Sequence, residues 1–460
     1  VVKLVIKNLG QYSPHLAQYT ELRSQENSVL NIAYVKGNLV QNVKQSTAGI
    51  SARVFCRGSF GFASSADATA ITEVIAAASR NAEFLDAREN KGRAPFTPDN
   101  PHTERSFGTK KARLTQGQIM AFVREIDAYI AKTYPTLSSR TVSLSCIDME
   151  KTLVTSDGAS LYSLLPRSNV RVSLSVDTTG GPVEVFEAAG GLGQFEDNFT
   201  SPEALFETID KLHAHLIRKS EGVYPTAGTK ECVLDAALAG ILAHEAIGHT
   251  TEADIVLGGS VAGDYLGRLV ASPLITLVDL AHTFDGKDCP MPIYIDDEGT
   301  AATDLAIIDH GVLQGFMHNK QSARHFGVKP TGNARAYEYF DEPLIRMRNT
   351  AILPGTSRVA DMIASIDDGY YLMKPSNGQA DTTSEFMFGV VLGYEIKGGK
   401  LGRGIRDLTI SGVAFDVLKS VTMVSDDMKW SNGGMCGKKQ LIPVGMGGPA
   451  IKCKINIGGR

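Results

Sequence analysis

The stretch Glu231-Cys232-Val233-Leu234-Asp235 followed by Ala236-Ala237-Leu238-Ala239-Gly240-Ile241-Leu242-Ala243-His244-Glu245-Ala246-Ile247-Gly248-His249 constrains this chain more than any other. It starts like a strand and turns into an alanine-rich helix whose natural N-cap is Asp235. Most of that helix is apolar around its whole circumference, so it has to sit inside a core. Burying two imidazoles and a carboxylate with it is costly unless something satisfies them, and a metal ion would do so.

In the familiar zinc-peptidase helix, HExxH, the ligands at i and i+4 share one face and the intervening Glu is a general base. Here the spacing is HExxxH. At 100° per residue, an i to i+5 separation leaves the second imidazole about 140° away on a regular helix, so an undistorted helix cannot chelate with both. Gly248 permits either a π-bulge that swings His249 back towards His244 or a plain helix stop, and spacing alone does not choose between them. Distorted backbone is expected there. Glu245 directly follows the first candidate ligand, a position from which its carboxylate reaches metal-bound water without ligating the ion; its role would be general base.

The remainder reads as α+β. From Val29 to Ser64 apolar residues alternate around glycine turns, which predicts antiparallel hairpins. Ile71, Val74, Ile75, Ala78, Ala82 and Leu85 form one helical stripe with Ser65 available as N-cap. Pro95, Pro98 and Pro101 predict an exposed loop from Ala94 to Phe107. A capping box at Thr115 and Gln118 opens a second helix, strands return from Thr141 to Glu187, and a helix capped by Ser201 follows. Beyond Gly222 glycine-rich turns join short strands. Sheet runs and helices without βαβ alternation predict an N-terminal antiparallel sheet with amphipathic helices (1–222), then a mostly β C-terminal domain (223–460) carrying the metal-binding helix.

Composition narrows the function classes. Hydrophobic residues at 43% and charged residues at 21% are globular values, which excludes disorder as the main state. The net charge of −4 comes with no basic stripe, so no nucleic-acid partner is expected. No apolar run approaches the ~20 residues of a membrane helix. The start Val1-Val2-Lys3-Leu4 carries no basic region followed by an apolar stretch, and six cysteines lie scattered without CxxC. The expectation is a soluble, cytoplasmic protein with reduced thiols.

At the helix, the sequence His244-Glu245-Ala246-Ile247-Gly248-His249-Thr250-Thr251-Glu252-Ala253-Asp254 resembles the TldD branch of the TldD/PmbA family, which carries HExxxH followed by an acidic stretch. The resemblance continues through Asp296-Asp297-Glu298-Gly299-Thr300, Pro330-Thr331-Gly332-Asn333, Arg346-Met347-Arg348-Asn349-Thr350, Leu353-Pro354-Gly355 and Met435-Cys436-Gly437-Lys438. It implies a zinc metallopeptidase whose ligands are His244, His249 and, by the position of the C-terminal motif, Cys436. Such a set leaves a fourth position open, as catalytic zinc requires. Glu252 and Asp254 fall on the family's acidic positions, where they either hold ligand imidazoles or solvate the helix exit.

The resemblance also implies a homodimer, or a heterodimer with a PmbA/TldE-like subunit, acting on flexible or unfolded peptides in peptide maturation. Thr250-Thr251 and Gly332-Asn333-Ala334-Arg335-Ala336 depart from the family's usual pattern, which bears on contacts near the cleft. His213 and His215 are read as surface residues. His318 and His325 are read as surface or core-packing residues, with a contact to substrate or the oxyanion as the alternative, and Cys232 and Cys453 as structural thiols. Two rival functions stand beside peptide hydrolysis: a non-catalytic peptide-binding or regulatory subunit of a TldD/PmbA-type complex, and hydrolysis of a non-peptide amide.

Overall fold

The computed structural model describes residues 5–458 except 17, 90, 95 and 432. The start of the chain at residues 1–4 and Pro95, both used above, lie outside them. Strand β1 (Tyr19–Val35) returns as β2 (Asn38–Cys56), which returns as β3 (Ser59–Ser65), all antiparallel. Both connections are two-residue turns, Lys36-Gly37 and Arg57-Gly58, with positive φ at each residue. That geometry matches the twist of the flanking strands, and glycine at the second position makes it cheap.

Helix α1 (Ile71–Glu89) buries Ile71, Val74, Ile75, Ala78 and Ala82 against Leu22, Ile50 and Val54 of this sheet. The stripe ends differently from the expectation: Leu85 is exposed, while Asp86 is buried and takes the Arg57 guanidinium. Ser65 does not cap α1. It ends β3, and its hydroxyl accepts the Asp67 amide in a local turn, one of the competing bonds serine offers a backbone. The proline-rich region also holds more structure than a loop, because β4 (His102–Ser106) pairs in parallel with Ser160 to Leu164.

Helix α2 (Gln116–Thr133) begins with the full capping box of Thr115 and Gln118. The alternating stretch that follows forms β5 (Ser139–Thr155), β6 (Ser160–Thr178) and β7 (Gly181–Leu192). The sheet order is β3-β2-β1-β5-β6-β4, with β7 also beside β6. Ile119, Val123 and Ile126 of α2 and Leu212 and Leu216 of the helix Phe206–Ser220 cover its other end.

In the second half, β8 (Gly228–Leu234) lies between Asp368–Ala380, which runs parallel to it, and Ile451–Gly458, which runs antiparallel. Pairing continues through Leu408–Val413 and Glu385–Lys397 back to Asp368–Ala380, closing a five-stranded barrel. A separate sheet carries Leu277–Leu280, Asn349–Ile352 and Gly445–Gly448 at its centre. The helix following β8 is wedged between barrel and sheet, so Leu238, Leu242, Ala243 and Ile247 join Leu277 and Ile352 on one side and Leu372, Phe388 and Ile455 on the other in one core. Gly240 permits this: a Cβ there would meet the backbone nitrogen of Gly447 at 3.1 Å. The architecture is α+β, and among the described residues no helix is long and apolar enough to cross a membrane.

Candidate metal centre

Asp235 caps the central helix as its side chain accepts the Leu238 amide at 2.8 Å. Regular α-helix lasts only from Ala236 to Ile241; Leu242–Gly248 is π-helix and His249–Thr251 a 3₁₀ turn. The wider π turn bonds the His249 amide to the His244 carbonyl, five residues back, and so stacks residues five apart on one side. The distortion expected at Gly248 therefore extends over the whole ligand-bearing segment. The two imidazoles face each other edge to face with centroids 5.2 Å apart.

A π segment leaves carbonyls poorly matched at its end, and hydroxyls fill the gap. Thr250 Oγ1 donates to the carbonyls of Ala246 (3.2 Å) and Ile247 (2.9 Å), Thr251 Oγ1 to those of Ile247 (2.8 Å) and Gly248 (3.0 Å), and Ser384 Oγ to that of Ala246 (3.2 Å). The Thr250-Thr251 departure from the family pattern thus lands on backbone support rather than on an open cleft. Gly248 has ordinary helical φ, so its glycine is needed for space: a Cβ there would stand 2.0 Å from Met347 Sδ.

The third candidate ligand arrives on the hairpin Met435–Lys438 and Gln440–Pro443. Cys436 Sγ lies 3.1 Å from His249 Nε2, and donor atoms of His244, His249 and Cys436 all fall within 4.8 Å of one another. Arg346, fully buried, draws this hairpin in by donating to the carbonyls of Cys436 (2.8 Å) and Gln440 (2.9 Å). Glu245 borders the same space, with its carboxylate 4.0 Å from His244 Nε2 and 3.7 Å from His249 Nε2.

Glu252, wholly buried, sits 3.1 Å from His249 Nδ1. A carboxylate only accepts, so Nδ1 carries a hydrogen, and Nε2 is the nitrogen that faces Cys436. Lys438 in turn binds Glu252 (2.9 Å) and Asp254 (2.8 Å), so Asp254 bonds the lysine and not an imidazole. Lys438 was missed in the sequence reading. Its signal was available, since residues two apart on a strand share a face and Lys438 follows Cys436 by two.

His244 is entirely buried and neither ring nitrogen has a hydrogen-bond partner. Burial, with His249, Arg346 and Arg335 adding to it, holds its pKa well below the usual histidine value, so the ring is neutral and can donate a lone pair. At His249 burial opposes charge, but Cys436 and Glu252 outweigh it and push the pKa up to about 10. Those two groups favour positive charge on the ring. Burial raises the Glu245 carboxyl, as suits a group that must accept a proton. The unpartnered His244 nitrogens beside one imidazole and one sulfur fit a metal ion, and the N and S donors are those that zinc takes.

The other candidates lie elsewhere. His213 is half-buried and stacks on Tyr134 at 3.8 Å, and His215 is half-buried against the Tyr394 hydroxyl, so neither is a free surface residue. His318 is buried against Phe326 with Nδ1 3.1 Å from Ser322 Oγ, and His325 flanks the same ring. Cys232 and Cys453 face each other across β8 and Ile451–Gly458 as buried free thiols, both raised by burial, Cys453 to about 12.

Fold and site together define an α+β protein with a buried His/His/Cys donor set on a distorted helix. The chain matches the PmbA/TldA metallopeptidase C-terminal domain over residues 227–459 and the PmbA/TldA metallopeptidase domain 1 over residues 20–82. The Metalloprotease TldD homolog of Haemophilus influenzae is 34% identical over 69% of this chain and 67% of its own length. The homolog of that name in Buchnera aphidicola is 41% identical, a match that spans about half of either protein (51% and 49%). The Zinc metalloprotease TldD homolog of Saccharolobus solfataricus is 34% identical over 55% of this chain and 57% of its own. The chain belongs to the PmbA/TldD metallopeptidase family. Its fold is shared with TldE from Thermococcus kodakarensis (TM-score 0.75, 14% identity, 98% and 99% covered) and with a putative modulator of a DNA gyrase from Thermotoga maritima (0.79, 18%, 97% and 98%).

Proposed function

We propose that this chain is a zinc-dependent peptidase that hydrolyses flexible or unfolded peptides, with His244, His249 and Cys436 as ligands and Glu245 as general base. The observation that carries the reading is the pair of orphaned nitrogens on His244, buried within ligand distance of His249 Nε2 and Cys436 Sγ. The name of the S. solfataricus relative supports zinc in particular. Bound there, zinc would supply Lewis acidity, lowering the pKa of a water molecule and polarising the scissile carbonyl.

The chain's own groups do the rest. Glu245 takes a proton from the attacking water on its carboxylate, and hands it to the leaving amine as the C–N bond breaks. Glu252 holds His249 in the tautomer that ligates, and Lys438 holds Glu252. The hairpin carrying Cys436 has two strands, so an extended peptide can add beside Met435–Lys438 through backbone bonds, with modest side-chain preference. The reading extends to a division near residue 222 into 1–222 and 223–460, to cytoplasmic residence, and to pairing with a second copy or a TldE-like subunit, for which the shared TldE fold is the support.

The test is metal content by mass spectrometry alongside cleavage of an unstructured peptide, in the parent and in Glu245→Ala. The expected result is about one zinc per chain in both, with cleavage falling by roughly 10²–10⁴-fold in the variant. Protein that neither contains zinc nor takes it up, and that cleaves nothing, would overturn the reading.

A further inference from the structure

A groove of about 1000 Å³ opens between residues 93–94 and 96–99 on one side and the helix Lys320–Phe326 on the other. Arg93, Arg324, His325 and Lys329 line it, against one carboxylate, Asp99. Among the described residues no carboxylate is within ion-pair distance of Arg93, Arg324 or Lys329. Glu89 feels Arg93 only at longer range. Arg324 is held in place by Phe96, whose ring centroid is 4.0 Å from its guanidinium carbon, and by Phe55 at 5.4 Å. Burial lowers the Arg324 pKa and the neighbouring Arg93 charge lowers it further, the mark of like charges gathered without a counter-ion. Thr300 lines the same groove; it is 2% exposed and its Oγ1 has no hydrogen-bond partner.

We infer that this groove binds an acidic segment of a peptide, with the carboxylates meeting Arg93, Arg324 and Lys329. This rests on the peptidase reading, of which it would be a substrate-anchoring site away from the bond cleaved. The cations spread over a volume far larger than one phosphate, which favours an extended polyanion over a small ion. A nucleic acid is disfavoured by the net charge of −4, and Arg324 already covers the Phe96 ring on which a base would stack. The groove is near the candidate centre along the chain: Met317 bonds the backbone of Thr251 and Ala253, and Lys320 is three residues on. Chain geometry limits the separation of Arg324 from His249 to about 30 Å, roughly nine extended residues.

The test is fluorescence anisotropy of a labelled peptide of about ten residues with glutamate at alternate positions, against its glutamine analogue, on the full chain carrying Glu245→Gln so that the probe survives. The acidic peptide should bind at least about tenfold more tightly, and added salt should weaken it. Arg93→Gln with Lys329→Gln, both exposed positions whose loss leaves the fold intact, should remove that preference, and Arg324→Gln should do so too. Equal binding of the two peptides, unchanged binding in the Arg93/Lys329 variant, or tighter binding of a single-stranded oligonucleotide of equal length would overturn the proposal. Binding is read without metal or cleavage. Failure here with intact cleavage removes only the groove, whereas bound peptide with no zinc and no cleavage in the parent removes only the peptidase reading.

Discussion

Two buried polar clusters lie back to back in the C-terminal half, and they differ in how far their hydrogen bonds are filled. At the first, Asp279 takes the Arg348 side chain (2.8 Å) and amide (2.9 Å), the Asn333 amide group (2.8 Å) and the Thr350 hydroxyl (3.1 Å), and Arg348 spends its remaining hydrogens on the carbonyls of Thr331, Gly332, Asp279 and Thr303. All four side chains are wholly buried. At the second, His244 is just as buried and bonds to nothing. A saturated ionic cluster has no capacity left for a ligand and acts as scaffold, whereas an orphaned donor set keeps that capacity open. His244 and, of the first cluster, Asn333, Arg348 and Thr350 stand in family-like segments, and only geometry separates the frame from the site.

The largest test of this contrast is Arg348→Met. It leaves Asp279 buried and uncompensated, so stability should fall by about 3–5 kcal/mol in urea unfolding, while protein that remains folded still takes up zinc. Unchanged stability would remove the distinction. Lys438→Met acts on the other cluster: it leaves Glu252 with His249 alone, so zinc affinity measured against a competing chelator should fall by roughly 10–100-fold, and the unfolding free energy should fall by less than in Arg348→Met because that second partner remains. Gly248→Ala tests where the two meet, because Met347 precedes Arg348 and packs on the π segment. Met347 must move aside, so a loss of about 1–2 kcal/mol is expected, partly recovered by adding Met347→Ala.

A pH-dependent effect concerns His318, a buried histidine that does have a partner. Burial lowers its pKa to about 4, so the unfolded chain takes up a proton near 6.5 that the folded chain refuses until about 4. Its contribution to stability is complete above pH 6.5 and fades as the pH falls towards 4. The loss of unfolding free energy across that window should be smaller in His318→Gln, and equal slopes in the two proteins would contradict the assignment.

Much of the fold was legible because local rules governed it. Hairpins at Lys36-Gly37 and Arg57-Gly58, the Thr115 capping box and the Asp235 cap each depend on a few adjacent residues whose backbone preferences and short-range bonds agree with the tertiary context. Legibility failed where a distant partner decided. Asp86 replaces Leu85 on the buried side of α1 because Arg57 receives it, and β4 forms in a proline-rich segment because β6 offers an edge.

The same division runs through the candidate site. From its own residues the chain determined that an apolar helix must be buried with His244, Glu245 and His249 in it, and that two imidazoles five apart can share a ligand only if the backbone is distorted. Tertiary structure decided what completes that helix: Cys436 arrives from a hairpin far along the chain, held by Arg346, while Lys438 and Glu252 orient His249. It also decided why residue 248 is glycine, which is the nearness of Met347 and not an unusual φ. Helix period and caps are set by neighbours within a turn or two, whereas buried donors and acceptors are matched only when the chain closes on itself and brings distant groups within bonding distance.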